Sequence, residues 1–207
     1  MSRGEFSMKE AFLNRSMSLI TSYNDSYSEE EKEKMRYGLE GFYLTIFKTI
    51  IIFAIAILFG MFTELLLLMI LYNFLRFFAF GFHANSSNAC LAFSMMLFLV
   101  FPLAVFKNYI SLQFSPIICL FCLVAFMLFA PSDTIKRPLT NKRKRSIRKC
   151  VSSVIAFIYT LICIVSDNTL LVNCLTLSIV SEMVMINPIT YKIFGQPYNN
   201  YKTSSWC

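Results

Sequence analysis

A histidine and a cysteine, seven residues apart, are the residues whose types fit nucleophilic catalysis. His83 is the one histidine in the sequence, and it lies with Cys90 in a short polar stretch between two long apolar runs. A thiol beside an imidazole can lose its proton and attack a carbonyl carbon, which is the chemistry of covalent acyl transfer. On one straight helix the two side chains would lie ~10.5 Å apart along the axis, too far for direct proton transfer. The catalytic interpretation therefore requires a turn between them.

The residues around this pair favour such a turn. Gly81 permits a bend, and the polar residues 85–88 prefer caps and turns to helix interiors. Ser87 or Asn88 is a candidate N-cap, which would place Cys90 in the first turn of the next helix, where a thiolate is favoured. The spacing alone leaves a second interpretation open, in which Cys90 packs against a neighbouring helix and His83 lies at a membrane interface.

The composition indicates a membrane protein. Hydrophobic residues make up 57% of the 207 residues and charged residues only 15%, whereas a soluble domain is about a quarter charged. We predict an all-α, polytopic bundle with about six transmembrane helices, each satisfying its own backbone polar groups. The predicted spans are residues 42–59, 62–80, 89–106, 110–130, 150–166 and 168–188.

The predicted organisation has three parts. Residues 1–41 form a cytoplasmic N-terminal region, residues 42–190 a single membrane-embedded domain, and residues 191–207 a cytoplasmic tail. Residues 5–23 carry their apolar side chains near one side of a helix, so we expect an amphipathic helix that lies either at the membrane surface or against the bundle. The acidic stretch 25–34 is expected to be a solvated connector.

A basic segment predicts the orientation. Residues 132–149 hold eight of the nineteen Lys and Arg residues and a single acid, Asp133. The positive-inside rule puts this segment in the cytoplasm, and the parity of the spans then puts the loop with His83 on the same side. Nucleic-acid binding is disfavoured, because membrane orientation already accounts for the excess positive charge.

Other polar residues near the spans have two interpretations each. Arg76 could snorkel to the interface or bind a substrate carboxylate or carbonyl. Asp133 could orient His83 or serve as a cap or turn residue. Glu182 is assigned to a helix end or an interhelical pair. With one histidine and few nearby acids we predict no metal site, and no other cofactor is indicated.

These residues resemble the accessory gene regulator B (AgrB) family of Gram-positive bacteria, which are membrane cysteine endopeptidases that mature quorum-sensing propeptides. The resemblance rests on Arg76, Gly81, "HA" at 83–84, Cys90 and "APSDTIKRPL" at 130–139. Phe82 is a departure, because many relatives have a second glycine before the histidine.

The resemblance implies a mechanism and a setting. His83 would take the proton from Cys90, and the thiolate would cut an AgrD-like propeptide through an acyl-enzyme thioester that then closes to a thiolactone or lactone ring. The protein would be a homodimer in the bacterial cell membrane, with its site facing the cytoplasm. Lys142, Arg143 and Lys144 would attract an acidic propeptide tail, or would only fix the topology and meet anionic lipids.

Two non-enzymatic classes remain as alternatives. A six-span protein such as the substrate-binding subunit of a small-molecule transporter would use a pocket among its spans. A chaperone-like membrane partner of a sensor kinase would tolerate Cys90→Ser without loss of function. Neither class requires a reactive pair at His83 and Cys90.

Overall fold

The protein is built from helices joined by short connections. A computed structural model describes residues 3–23, 26–82, 87–107, 112–134 and 139–202. Within these ranges there is no β-strand, which confirms the predicted all-α class. The elements are α1 (Arg3–Tyr23), α2 (Glu29–Leu58), α3 (Phe62–Ala79), α4 (Ser87–Met95), a π-helical turn (Met96–Val100), α5 (Phe101–Phe106), α6 (Ser115–Phe129), α7 (Lys142–Val165), α8 (Thr169–Ile186), α9 (Pro188–Ile193) and a 3-10 turn (Asn200–Lys202).

The first of two compact units, residues 1–54, contains α1 and most of α2. The Lys9 ammonium lies 2.8 Å from the Glu40 carboxylate, and the rings of Phe12 and Tyr43 are 5.3 Å apart. The predicted N-terminal helix is therefore present and packs against α2. Its position at the membrane surface stays a prediction, as do the domain boundaries after residues 41 and 190.

The solvated connector predicted at 25–34 is wrong from Glu29 onward, where α2 begins. A capping box explains the early start. The Ser28 N–H donates to the Glu31 carboxylate at 2.9 Å, and the Glu31 N–H donates to the Ser28 hydroxyl at 3.3 Å. These reciprocal bonds satisfy two N–H groups that the helix itself leaves unpaired. The acidic first turn also suits the positive end of the helix dipole.

The second unit, residues 55–207, has α8 at its centre, packed against α3, α6 and α7. The shared core combines large apolar side chains with small ones, and Cys119, Cys122 and Cys163 belong to it, as predicted for cysteines in apolar runs. Its buried members include Leu75, Cys119, Cys122, Phe126, Ile155, Tyr159, Cys163, Leu175 and Ile179.

The helices are long and apolar enough for a multi-pass membrane protein. Among the described residues five candidate spans are present, and α6 is a shorter apolar helix of 15 residues in the region of the fourth predicted span. The candidate spans are Glu29–Leu58, Phe62–Ala79, Ala89–Phe106, Lys142–Val165 and Thr169–Ile186. The predicted number of about six apolar helices is consistent with this architecture.

Two regions that the sequence assigned to a loop and to a tail contain helix or buried side chains in the structure. The basic segment becomes helical at Lys142, where the Asn141 side chain accepts from the Lys144 N–H at 3.1 Å and caps α7. Near the other end of the chain, Tyr191 and Asn200 are buried. Residues of the predicted tail therefore pack against the rest of the second unit.

Candidate active site

Cys90 is the fourth residue of α4, and its side chain is half-buried. The first four N–H groups of a helix have no intrahelical acceptor, so this turn presents the positive end of the dipole to the sulfur. Helix α4 is described from Ser87 onward, while the side chains of Ser87 and Asn88 lie outside what the structure describes, so the predicted cap at either residue stays a prediction. His83 also lies outside the described residues, and its distance to Cys90 stays a prediction.

The chain that leads into His83 is fixed by backbone hydrogen bonds. The Gly81 N–H donates to the Ser132 carbonyl at 2.7 Å, the Ser132 N–H donates to the Ala79 carbonyl at 3.0 Å, and the Phe82 N–H donates to the Met185 carbonyl at 2.8 Å. The first two bonds form a parallel bridge. The loop after α3 is thus attached to α8 and to the segment that follows α6.

Gly81 is at the bend, as the sequence predicted, and its φ of +117° is one that L side chains rarely adopt. A Cβ here would lie 2.6 Å from Nη1 of Arg76 and 2.9 Å from the Met185 carbonyl oxygen. Both contacts are too short for any side chain. Glycine at this position therefore allows the arginine to lie directly over the backbone.

Arg76 points into the protein and not out to an interface. Its Nη1 lies 3.3 Å from a carboxylate oxygen of Glu182, and its Nη2 donates to the Phe82 carbonyl at 2.6 Å. Glu182 is fully buried on α8. The interhelical pair expected for Glu182 is present, with Arg76 as its partner. The geometry favours neither predicted role of Arg76, because this guanidinium binds the protein's own carboxylate and carbonyls.

The ring of Phe82 connects the histidine loop to the helix of the cysteine. It stacks on Phe194 with the centroids 4.7 Å apart, and it meets Tyr191 at 5.8 Å and Phe93 at 6.3 Å. Phe93 follows Cys90 by three residues, which places it within one turn of the sulfur-bearing residue. A phenylalanine in place of a second glycine therefore anchors the loop through an aromatic cluster.

Asp133 is buried, and its carboxylate accepts three backbone hydrogen bonds. The donors are the N–H groups of Leu139 at 3.1 Å, Asn200 at 2.9 Å and Tyr201 at 2.8 Å. The turn role left open by the sequence is therefore the one that these contacts support. Its other predicted role, orienting His83, involves a residue outside the described ranges and stays a prediction.

The carbonyl oxygen of Asp133 accepts from the Tyr191 hydroxyl at 3.1 Å. Burial raises the pKa of Tyr191, so this phenol remains a hydrogen-bond donor well beyond neutral pH. Asp133 thus binds the C-terminal segment through both its side chain and its backbone.

The basic residues divide into exposed and engaged groups. Lys142, Arg143 and Lys144 are exposed on the first turn of α7, where positive charge is unfavourable for the helix dipole. Arg145 lies 3.3 Å above the ring of Tyr201, and Arg148 donates to the Phe77 carbonyl at 2.8 Å. The three exposed cations of this first turn, together with the exposed Lys149 later in α7, are therefore available to an anionic partner or lipid headgroup.

Sequence reasoning missed one residue of this region, Tyr191, and named Glu182 without its partner. A carboxylate inside an apolar span is costly and marks a functional site by default, so Glu182 carried a usable signal. Tyr191 lay in a segment expected to be tail and carried no such signal.

Comparison with known proteins shows one family. A sequence model described as accessory gene regulator B matches residues 13–186. An AgrB-like protein of Clostridium acetobutylicum is 31% identical over 170 residues, covering 81% of this chain and 80% of the relative. An AgrB-like protein of Listeria monocytogenes is 28% identical over 193 residues, covering 92% and 94% of the two chains.

A third relative carries a fuller name. The accessory gene regulator protein B of Staphylococcus carnosus is 32% identical over 112 residues, which cover 54% of this chain and 59% of the relative. No solved structure matches the chain.

Proposed function

This chain belongs to the accessory gene regulator B family, and on that premise we propose that it is a membrane cysteine endopeptidase that trims and cyclises an AgrD-like propeptide. Family membership places the protein in the accessory gene regulator system of quorum sensing, with a propeptide as its partner. Its apolar helices make it a multi-pass membrane protein. The catalytic roles of His83 and Cys90, and the cleavage and cyclisation reaction, are what we propose.

The proposed reaction has two acyl transfers. The His83 imidazole takes the Cys90 proton, and the thiolate attacks a peptide carbonyl of the propeptide. The peptide bond breaks, the proton passes to the leaving amine, and the C-terminal tail departs from the Cys90 thioester. A cysteine thiol or serine hydroxyl within the propeptide then attacks this thioester, which closes the ring and returns the thiol of Cys90. Exclusion of water at the membrane interface favours ring closure over hydrolysis.

The observation that carries the proposal is the contact between the residue before His83 and the helix of Cys90. Phe82 packs against Phe93, which lies one turn beyond Cys90. Its N–H and carbonyl are both held by hydrogen bonds. The residue that precedes the proposed general base is thus held against α4, and Cys90 lies in the first turn of that helix.

We further propose that the site faces the cytoplasm and that Lys142, Arg143 and Lys144 attract the acidic tail of the propeptide. The three residues are exposed at the start of α7, which supports this role. Positive charge at a helix N-terminus lowers the stability of the helix, so a cluster of cations there is more easily explained if it binds an anionic partner. The family resemblance also leads us to propose a homodimer. Mass photometry of the protein in nanodiscs at several concentrations tests that state.

The test of the enzyme uses the full chain in nanodiscs with the AgrD-like peptide encoded nearest its gene. We expect the wild type to release the C-terminal tail and to carry a peptide adduct on Cys90, both seen by mass spectrometry. Cys90→Ala should abolish cleavage and adduct, and His83→Ala should lower the rate by about 10²–10⁴-fold.

Cys150→Ala is the matched control, because Cys150 is an exposed free thiol on α7. It should cleave like the wild type. If Cys90→Ala and His83→Ala also cleave like the wild type, the peptidase proposal is wrong and the non-enzymatic six-span classes become the better interpretation.

A further inference from the structure

We propose that Glu182 is a positioning residue, which through Arg76 fixes the backbone that leads into His83. The inference rests on the proposed function for the roles of His83 and Cys90. Glu182 itself lies outside both reacting segments, on α8.

The carboxylate of Glu182 is fully buried and is met by a charged donor from α3. Nη1 of Arg76 lies 3.3 Å and 3.4 Å from its two oxygens. Glu182 thereby holds the guanidinium in one position.

The same guanidinium extends to the segment that leads into His83. Nη2 of Arg76 donates to the Phe82 carbonyl at 2.6 Å and to the Gly81 carbonyl at 3.4 Å. The Phe82 carbonyl belongs to the planar peptide group before His83, so the guanidinium fixes the orientation of that peptide plane.

The ion pair is needed for this arrangement, because two neutral carbonyls do not offset the desolvation of a buried guanidinium. A buried ion pair is weak support for stability by itself, since apolar residues of similar volume often stabilise as well. A guanidinium nevertheless supplies something that an apolar side chain lacks, a charged donor aimed at the Phe82 carbonyl. Glu182 is what allows that cation to remain over Gly81.

The test uses His83 as a reporter, because it is the one histidine of the chain. Protein labelled with 13C-histidine in nanodiscs gives a single imidazole Cε1 resonance, whose shift, width and pH titration describe the environment of His83 without any propeptide. We compare the wild type with Glu182→Gln and with the double variant Arg76→Met/Glu182→Leu, which removes both buried charges together and so avoids leaving one unpaired.

Ser178→Ala is the matched control. Ser178 is fully buried on α8, one turn before Glu182, and its hydroxyl also reaches α3, at the Leu68 carbonyl 3.4 Å away. This variant perturbs the packing of the same two helices without touching Arg76, and it should keep the wild-type resonance.

We expect the imidazole resonance of Glu182→Gln and of the folded double variant to move toward that of a solvent-exposed histidine, with a titration midpoint of about 6.5. Cleavage by both should lose about 100-fold in kcat with KM roughly unchanged, as misplacement of a catalytic group predicts.

The inference is overturned if both variants keep the wild-type shift, width and midpoint. That result, with a wild type that cleaves, removes the positioning role and leaves the peptidase proposal intact. If instead the wild type cleaves no propeptide, the resonance still decides the role of Glu182, because its readout does not depend on turnover.

Discussion

Two buried carboxylates of this protein, Glu182 and Asp133, are stabilised in opposite ways. Their exposed fractions are 0% and 2%. Glu182 lies within the helix bundle and depends on one cation from α3, the Arg76 guanidinium. Asp133 lies in the connection after α6 and accepts three backbone N–H groups from residues 139, 200 and 201.

The difference shows how each acid contributes to the structure. A carboxylate neutralised by one guanidinium relies on a single side chain, and loss of that side chain leaves a buried charge without compensation. A carboxylate held by several amides depends on the local backbone path, and each amide contributes a part. Substitutions near Glu182 should therefore affect the whole bundle, and substitutions near Asp133 should act locally on the C-terminal segment.

The largest effect is expected for Arg76→Met. The substitution leaves the Glu182 charge buried and unpaired, which costs about 3–5 kcal/mol in the free energy of unfolding. Thermal unfolding followed with a thiol-reactive dye measures this, since most cysteines of the second unit are buried. Arg143→Met removes an exposed cation and should change stability by less than about 0.5 kcal/mol. Equal melting temperatures for the two variants would mean that Glu182 does not depend on the Arg76 cation.

Gly81→Ala should come next, with at least about a 100-fold loss of kcat from displacement of the Arg76 guanidinium. The new Cβ would collide with Nη1 at 2.6 Å in addition to straining the backbone. Gly60→Ala is the control, because Gly60 also has a positive φ, +64°, but nothing lies within 4 Å of its added Cβ. Steady-state cleavage kinetics compare the two. Similar losses in both variants would mean that backbone strain, and not the arginine, makes glycine necessary at 81.

Asp133→Asn should have a smaller and more local effect, of about 1–3 kcal/mol, because one oxygen that accepts from backbone N–H groups becomes an NH2 donor. Hydrogen exchange at the amides of Asn200 and Tyr201 should speed up while exchange in α3 and α8 stays at the wild-type rate. Asp167→Asn, in the short connection between α7 and α8, controls for the loss of a charge. Faster exchange throughout the bundle would contradict the local role.

The sequence predicted the apolar helices better than the contacts between them. The apolar runs at 62–80 and 168–188 correspond closely to α3 and α8, because hydrophobic length is a local property. The starts of α2 and α7 were missed, because capping by Ser28 and Asn141 extends each helix into polar sequence that hydropathy assigns to a connection.

In the candidate site, too, local features were predictable and tertiary contacts were not. The bend at Gly81 and the helical position of Cys90 follow from nearby residue types, and both were predictable. The partner of Glu182 was not, because Arg76 lies 106 residues away and the pairing depends on how α3 and α8 rotate against each other. Burial of Tyr191 likewise depends on tertiary packing of a segment whose composition resembles a tail.

The smallest effect is expected for Tyr191→Phe, which removes one neutral hydrogen bond to the Asp133 carbonyl and keeps the aromatic contact with Phe82. The loss should be about 0.5–1.5 kcal/mol near neutral pH. Burial raises the pKa of Tyr191, so the unfolded chain releases this proton first as the pH increases. The stabilisation is therefore complete below pH ~10 and declines above it. Unfolding measured from pH 8 to 11 should show the wild type losing its advantage over Tyr191→Phe in the upper part of that range. A constant difference would mean that the phenol is not buried against Asp133.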